Sequence, residues 1–433
     1  MAEILEPASK NCLVPIEDLQ THFSQVYEVG RVSSATVPLA PLSTKKVNPF
    51  EGLTAGEVWA RLKKCANSAP GPDGVKYEVW RRVDPGAVVL AAIYRAVQRT
   101  NWVPLAWSES RTVLLHKKGD PKEVGNWRPI ALSDTVGKLY CAVLSDRLLS
   151  HCRSVGAISP EQKGFMPTDG CLEHGFMVET VIEHARRHKG FVALAFLDLK
   201  NAFGSVHHSA IYRALEWAGL SDVAVRCIRN LYANAKTRVA TKLGETAAIR
   251  VEAGVLQGSP LSPLLFNLAM EPMLRAVKAA SPGYDLYGEC ELGLLAYADD
   301  ICLVANSVSD LKKKLRAAES MAQWAGLQFN ASKCGSLLID GAHRMADRTR
   351  VQIGGSDMRS MKSEDVYEYL GVPVGFTAQN SSVETVRDLE VCLRKVDESL
   401  LAPWQKADAV RRYLLPRLSF MFRNGRFLKK ELI

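Results

Sequence analysis

FVALAFLDL, residues 191–199, and LGLLAYADDICLVAN, residues 292–306, decide how this chain is read. The first is short, apolar and rich in residues that suit a buried strand. The second reads as two apolar strands around a polar turn, a hairpin. Acid stands where each apolar run breaks: Asp198 ends VALAFLD, and Asp299 and Asp300 sit at the hairpin turn. A carboxylate at the rim of an apolar strand costs desolvation unless something compensates it. On the pair alone, an ordinary polar turn is the better account of Asp299 and Asp300. If the two segments pair in one sheet, however, two or three carboxylates converge. Like charges that close raise each other's pKa unless a cation neutralises them. Magnesium is the natural cation, because it takes oxygen ligands, often one or two carboxylates plus phosphate oxygens. Two such ions, roughly 3.5–4 Å apart, clamp the attacking and leaving oxygens of a phosphoryl transfer.

Working outward, the pattern mixes helices and strands without strict βαβ alternation, which predicts an α+β fold rather than a doubly wound sheet. Residues 16–27 read as one helix, and residues 32–49, rich in Ser, Thr and Pro, as a linker or extended arm. Thr54 opens a helix with Glu57 three residues on, a capping-box spacing. SAPGPDG (68–74) is a turn. A helix over 87–100, a strand over 111–116, a basic turn (KKGDPKEVGNWRP, 117–129) and a helix over 134–152 follow. Helices are expected at 208–218, 222–233, 262–280, 309–325, 384–402 and 406–420, strand-like pieces at 336–338 and 351–353, and a hairpin turning near Gly244 and Glu245. No repeat of fixed period is present.

The bulk numbers permit much and decide little. The chain has 433 residues, 47% hydrophobic and 23% charged, as in an ordinary soluble globular protein of two or three domains. The net charge of +9 permits nucleic-acid binding without showing it. From Leu401 onward, eight Lys or Arg stand against Asp408 and Glu431, a local excess that suits a surface tracking phosphates. None of the ten cysteines forms a C-x-x-C pair, so no zinc module is expected, and several, such as Cys302 in ICLVA, sit in apolar runs and read as buried reduced thiols. MAEILEPASKNC has no secretory pattern, and no 18-residue apolar stretch follows, so no membrane is expected and the location is expected to be intracellular.

The motifs then carry a resemblance. FLDLKNAF (196–203), GVLQGSPLSPLLFNL (254–268), AYADD (296–300), the lysine of FNASKC (329–334) and YLGVPVG (369–375) stand in one order. They resemble the serial motifs of reverse transcriptases. SAPGPDGV (68–75), LLHKKGDPKEVGNWRPIAL (114–132) and QKGFMPTDGC (162–171) resemble the non-LTR (LINE-type) retrotransposon and group II intron branch, and look closest to the site-specific non-LTR elements. The resemblance implies a right-hand polymerase with an antiparallel palm sheet. It places an N-terminal extension at 1–50, fingers at 51–190, palm at 191–375 and the start of a helical thumb at 376–433.

It also implies roles. Asp198, Asp299 and Asp300 become the catalytic, metal-holding acids for two Mg2+ ions (Mn2+ as an alternative), Asp198 and Asp299 the principal ligands and Asp300 the adjacent acid, less direct in coordination. Phe203 would lie under the incoming sugar and exclude a 2′-hydroxyl; a core aromatic is the plainer reading. Gln257 would stand beside the nucleotide and template base, where the Gly258 turn lets backbone approach; a helix start capped by Ser259 or Ser262 is compatible with that. Lys117 and Arg128 would contact triphosphate, a point charge and a fork respectively. Lys118 is an alternative to Lys117, and a solvated basic loop is the plain reading of both. Lys333 matches a lysine proposed to protonate pyrophosphate. Tyr369, Leu370 and Gly371 resemble the primer grip, though they also read as an ordinary hairpin.

The expected activity is RNA-directed DNA polymerisation by a retrotransposon enzyme, with an RNA template, a DNA primer or RNA–DNA hybrid, and dNTPs as partners. Target-primed synthesis and a nuclear site would follow in a eukaryotic element. The competing readings are a catalytically silent RNA-binding scaffold, against which three retained acids speak, and an RNA-dependent RNA polymerase, against which Phe203 speaks. No endonuclease or zinc knuckle is found, so the chain reads as a fragment, a trimmed form or a domesticated remnant. The natural template and the oligomeric state are left open.

Overall fold

The computed structural model of the chain describes residues 11–28, 39–117, 119–347, 349–377 and 383–416. Its centre is the sheet that the two opening stretches form. The strand order is Met345–Asp347, Gly335–Asp340, Phe191–Leu197, Asp300–Ala305 and Leu294–Tyr297, all antiparallel, with Arg359–Ser360 added in parallel beside Gly335 and Ser336. Leu197 pairs with Ile301, so Asp198 and Asp300, each one residue beyond that pair, stand at the same end of the sheet.

The reason FVALAFL is apolar throughout is that both of its faces are covered. Ala193, Ala195 and Leu197 pack into one core with Leu303, Phe266 and Leu268 of the Ser262–Ala280 helix, and Leu311 and Leu315 of the Val308–Ala325 helix. Val192, Leu194 and Phe196 face a second core with Val178, Val181 and Ile182 of the Gly170–Arg187 helix and with Tyr369. Ala193 and Ala195 are fully buried on that side.

A second sheet stands beside the first. Trp127–Ser133 pairs antiparallel with Glu109–His116, which pairs in parallel with Lys236–Thr241. The latter also carries Gly244–Glu245 and Ile249–Arg250. The Ile16–Tyr27 helix docks on this sheet through Leu19, Phe23 and Tyr27, against Trp127, Val239, Ile249 and Val251. Residues 39–49 run as an extended arm along Trp217–Leu220: Leu42 N–H donates to Trp217 O at 3.1 Å and Val47 N–H to Gly219 O at 2.9 Å. The Thr54 capping box forms as expected, with Glu57 N–H donating to Thr54 Oγ1 and Thr54 N–H to Glu57 Oε2.

The mixed α+β class holds, and the helices over 16–27, 87–100, 208–218, 222–233 and 262–280 lie within a residue or two of their expected bounds. The structure departs from the local expectations in several places. The 236–245 hairpin turns at Lys242 and Leu243, not at Gly244 and Glu245, because Thr241 pairs with Gly244. The basic turn ends earlier, since Trp127–Ser133 is a strand. The Gly170–Arg187 helix is an element that the sequence pattern does not announce. Neither Ser259 nor Ser262 caps the Ser262–Ala280 helix: its N-cap is Leu261, with Ser262 at the first helical position. The expected 406–420 helix starts at Pro403 and passes into a π-turn over Val410–Leu414; its end, and the basic tail beyond 416, lie outside the described residues.

Candidate active site

Asp198 follows the Phe191–Leu197 strand, and a turn holds it there. Asn330 N–H donates to Asp198 O at 2.8 Å, Asp198 N–H donates to Cys334 Sγ at 3.3 Å, and Lys200 N–H donates to Gln328 O at 2.8 Å. Asp299 sits in the two-residue turn between Tyr297 and Asp300, which pair across it. The preceding Ala298 carries φ 55°, a left-handed conformation uncommon outside glycine.

Both carboxylates line one cavity of about 810 Å³. Lys117, Arg128, Lys333, Phe203 and Gln257 line it too, so seven of the sequence-identified residues are brought together from segments up to 216 positions apart. Gln257 is fixed by its backbone, whose carbonyl accepts from Ala131 N–H at 2.6 Å. Gly258 makes that approach feasible: its φ is 121°, and a Cβ there would lie 2.4 Å from Ala131 O. Phe203 stacks on Phe266 with centroids 4.3 Å apart. It is therefore both a core-packed ring and a cavity wall.

The electrostatics follow from crowding charges in a partly dry site. Burial raises Asp198, while Lys333, a hydrogen bond from Asn330 and Lys117 pull it down. Burial also raises Asp299, and the Asp198 charge adds to the rise. Lys117 is lowered by burial first and then by its fellow cations Arg128 and Lys333, against the pull of Asp198 and Asp299. Three cations thus face two carboxylates across one space. That arrangement accepts a polyanion whose negative charge the cations meet, while the carboxylates call for a cation of their own.

Asp300 stands apart from this pair. It begins the second hairpin strand and does not line the cavity, yet its carboxyl is pushed up to about 6 by desolvation, then by Asp299 and Asp198. Among the described residues, no three His, Cys, Asp or Glu side chains converge as a protein-only metal cage. Two carboxylates beside an open cavity still fit magnesium, which keeps several positions for water and phosphate. Tyr369, Leu370 and Gly371 lie elsewhere. Tyr369 is buried against Phe196 on the other face of the sheet, with centroids 5.5 Å apart, and Leu370 and Gly371 form the hairpin tip with φ 52° and 77°. None of the three lines the cavity. Lys118 lies outside the described residues.

Several lining residues are not singled out by the sequence. Asn330 sits in the FNASKC motif, of which only the lysine stands out. His22, Phe23, Val26 and Tyr27 come from the N-terminal helix, and Phe165 from QKGFMP. A helix period marks the apolar face of residues 16–27 but does not say what that face covers.

The family model described as "Reverse transcriptase (RNA-dependent DNA polymerase)" matches residues 115–374. The chain is similar to the retrovirus-related Pol polyprotein from type-2 retrotransposable element R2DM of Drosophila melanogaster, 29% identical over 81% of this chain and 33% of that one. It is also similar to the Pol polyprotein from a type-1 retrotransposable element R2 of Popillia japonica, 28% identical over 87% of this chain and 52% of that one. A third relative is the RNA-directed DNA polymerase from mobile element jockey of Drosophila melanogaster, 27% identical over 75% of this chain and 35% of that one. The chain spans from a third to about half the length of these relatives.

Proposed function

The chain belongs to the reverse transcriptase family, and from that premise we propose that it is itself an RNA-directed DNA polymerase of a non-LTR retrotransposon, extending a primer 3′-hydroxyl with deoxynucleotides. One observation carries the reading: a single cavity holds Asp198 and Asp299 together with Lys117, Arg128, Lys333, Phe203 and Gln257. In this reading the first sheet, within 191–375, is the palm, the second joins strands of the fingers span 51–190 to residues 236–250 of the palm span, and 376–433 begins a thumb. The Ile16–Tyr27 helix of the 1–50 extension closes one side of the site.

Asp198 and Asp299 are the residues that would hold Mg2+, with Mn2+ as a substitute and Asp300 alongside. When bound, the metal neutralises phosphate charge and favours the ionised primer hydroxyl. The chain's own groups do the positioning. Lys117 and Arg128 meet the triphosphate, where phosphoryl transfer gains most from charge and alignment. The primer hydroxyl gives up its proton to solvent water, its oxygen bonds to the α-phosphorus as the bond to pyrophosphate breaks, and Lys333 would give the leaving group a proton. Phe203 lies under the sugar and Gln257 beside the nascent pair. Tyr369, Leu370 and Gly371 would seat the primer from beyond the cavity wall. The substrates are an RNA template, a DNA primer or RNA–DNA hybrid, and dNTPs. A nicked target DNA as primer, and a nuclear location, belong to the same proposal.

Primer extension on an RNA template with Mg2+ tests it. Wild-type protein is expected to incorporate dNTPs, and Asp198→Ala or Asp299→Ala to abolish incorporation while RNA binding persists. Extension at wild-type rates by both variants would refute the site.

A further inference from the structure

Residues 161–165 reach the cavity from outside both sheets. Ala296 N–H donates to Glu161 O at 3.1 Å and Lys163 N–H to Ala296 O at 2.9 Å. The segment so bridges in parallel to the outer edge of the Leu294–Tyr297 strand, just before the acidic turn. Gln162 is 2% exposed and works as a clamp. Its Oε1 accepts from Ala298 N–H and from Gly164 N–H, both at 2.8 Å, and its Nε2 donates to Ala298 O at 3.3 Å. Ala298 is the left-handed residue immediately before Asp299, so the side chain of Gln162 holds the turn's least favourable backbone in place. Only glycine permits the approach, because a Cβ on Gly164 would lie 2.2 Å from Ala298 N. The carbonyl of Gly164 accepts from Asn267 Nδ2 at 2.8 Å, which ties the segment to the helix carrying Phe266.

This anchoring delivers Phe165. Its φ is 58°, the residue is 56% exposed, and it lines the cavity with Phe203, Gln257 and Asp299. Packing does not account for a large exposed ring on left-handed backbone. Such strain persists where the surroundings over-determine it, and it concentrates at ligand sites. The Phe165 ring meets Phe203 at a centroid distance of 5.7 Å and an interplanar angle of 77°, an edge-to-face pair. Phe203 is thereby held between Phe165 and Phe266.

We propose that Phe165 is a specificity-determining residue for nucleotide addition, walling the sugar pocket and restraining the Phe203 ring, with Gln162 as the positioning residue that sets it there. The inference rests on reading Phe203 as the group that excludes a 2′-hydroxyl. Without Phe165, the Phe203 ring loses one of its two aromatic neighbours and gains room to yield to that hydroxyl.

The test is single-turnover incorporation of dATP against ATP, opposite uridine in an RNA template with a DNA primer, using the full chain. Wild type is compared with Phe165→Ala, Phe203→Ala, the double variant and Gln162→Ala, with melting temperature followed throughout. Phe165→Leu keeps apolar bulk without the ring and guards against a folding artefact. Phe165→Ala is expected to lower the preference for dATP about tenfold, the scale of one aromatic pair. The double variant is expected to lose no more preference than Phe203→Ala alone, and Gln162→Ala to shift preference in the same direction as Phe165→Ala. Wild-type preference in both Phe165 variants, beside a lowered one in Phe203→Ala, would overturn the inference and leave the gate standing. Unchanged preference in Phe203→Ala would sink the gate reading and the inference with it. A slowed Gln162→Ala with unchanged preference would remove Gln162 from the proposal.

Discussion

At the scale of residues, the two adjacent acids of the hairpin have separate fates. Asp299 occupies the turn and lines the cavity; Asp300 starts a strand and does not. Their environments predict unequal costs. Asp299→Asn removes charge from where cation and phosphate would meet, and is expected to lower the single-turnover rate by about 10³-fold or more, the scale of losing a preorganised electrostatic group. Asp300 does not line the cavity, and the charges of Asp198 and Asp299 push its own carboxyl up, so its charge acts on that place from one remove. Asp300→Asn is therefore expected to cost about ten times less than Asp299→Asn, because a field acting at one remove is weaker than a group at the site. Rates of the two Asn variants measured side by side check the asymmetry, and equal losses would contradict it.

At the scale of elements, the N-terminal helix shows what a local pattern conveys and what it does not. Its periodicity fixes Ile16–Tyr27 as a helix, while its docking depends on strands far along the chain, Lys236–Thr241 and Ile249–Arg250 among them. Leu19 is fully buried in that contact. Leu19→Ala is expected to cost about 2–5 kcal/mol of stability, as for other leucines truncated in a core. It should also raise the KM for dNTP, since His22, Phe23 and Val26 wall the cavity. Thermal unfolding and steady-state kinetics would check both, and a lowered stability with unchanged KM would show that the helix only braces the fold. The same contrast runs through the other elements. FVALAFL is legible as a strand because two-sided burial leaves no polar residue in it. Trp127–Ser133 is hidden by Pro129, which is tolerated because this is an edge strand. Gly170–Arg187 is hidden by Gly170, Gly175 and His174, buried positions that do not mark an apolar stripe. Gly244 draws the expected turn away from Lys242 and Leu243. In the site, the acids, the cations and Phe203 are legible from motifs, whereas Phe165 and Asn330 act through contacts that no local pattern encodes.

At the scale of the whole molecule, burial of ionisable groups makes stability depend on pH. His174 is 2% exposed, and neither ring nitrogen has a hydrogen-bond partner. Its pKa is lowered from 6.5 to about 4, first by burial and then by the Lys163 charge, against a smaller pull from Glu173. The unfolded chain therefore takes up this proton as pH falls through 6.5, while the folded chain resists until about 4. Stability attached to His174 is fully present above pH 6.5, is lost progressively between 6.5 and 4, and changes little further below. A gap of that size corresponds to about 3 kcal/mol at most. Carboxyls whose pKa is raised in the fold act with the opposite sign: Asp300, at about 6, binds its proton earlier in the folded chain and offsets part of the loss. Comparing variants separates the two. Denaturant midpoints of wild type and His174→Leu, measured from about pH 7.5 down to about pH 4, should diverge, with wild type falling more steeply across the interval. Parallel curves would mean that His174 is solvated or paired when protonated, and that its burial contributes nothing to acid sensitivity.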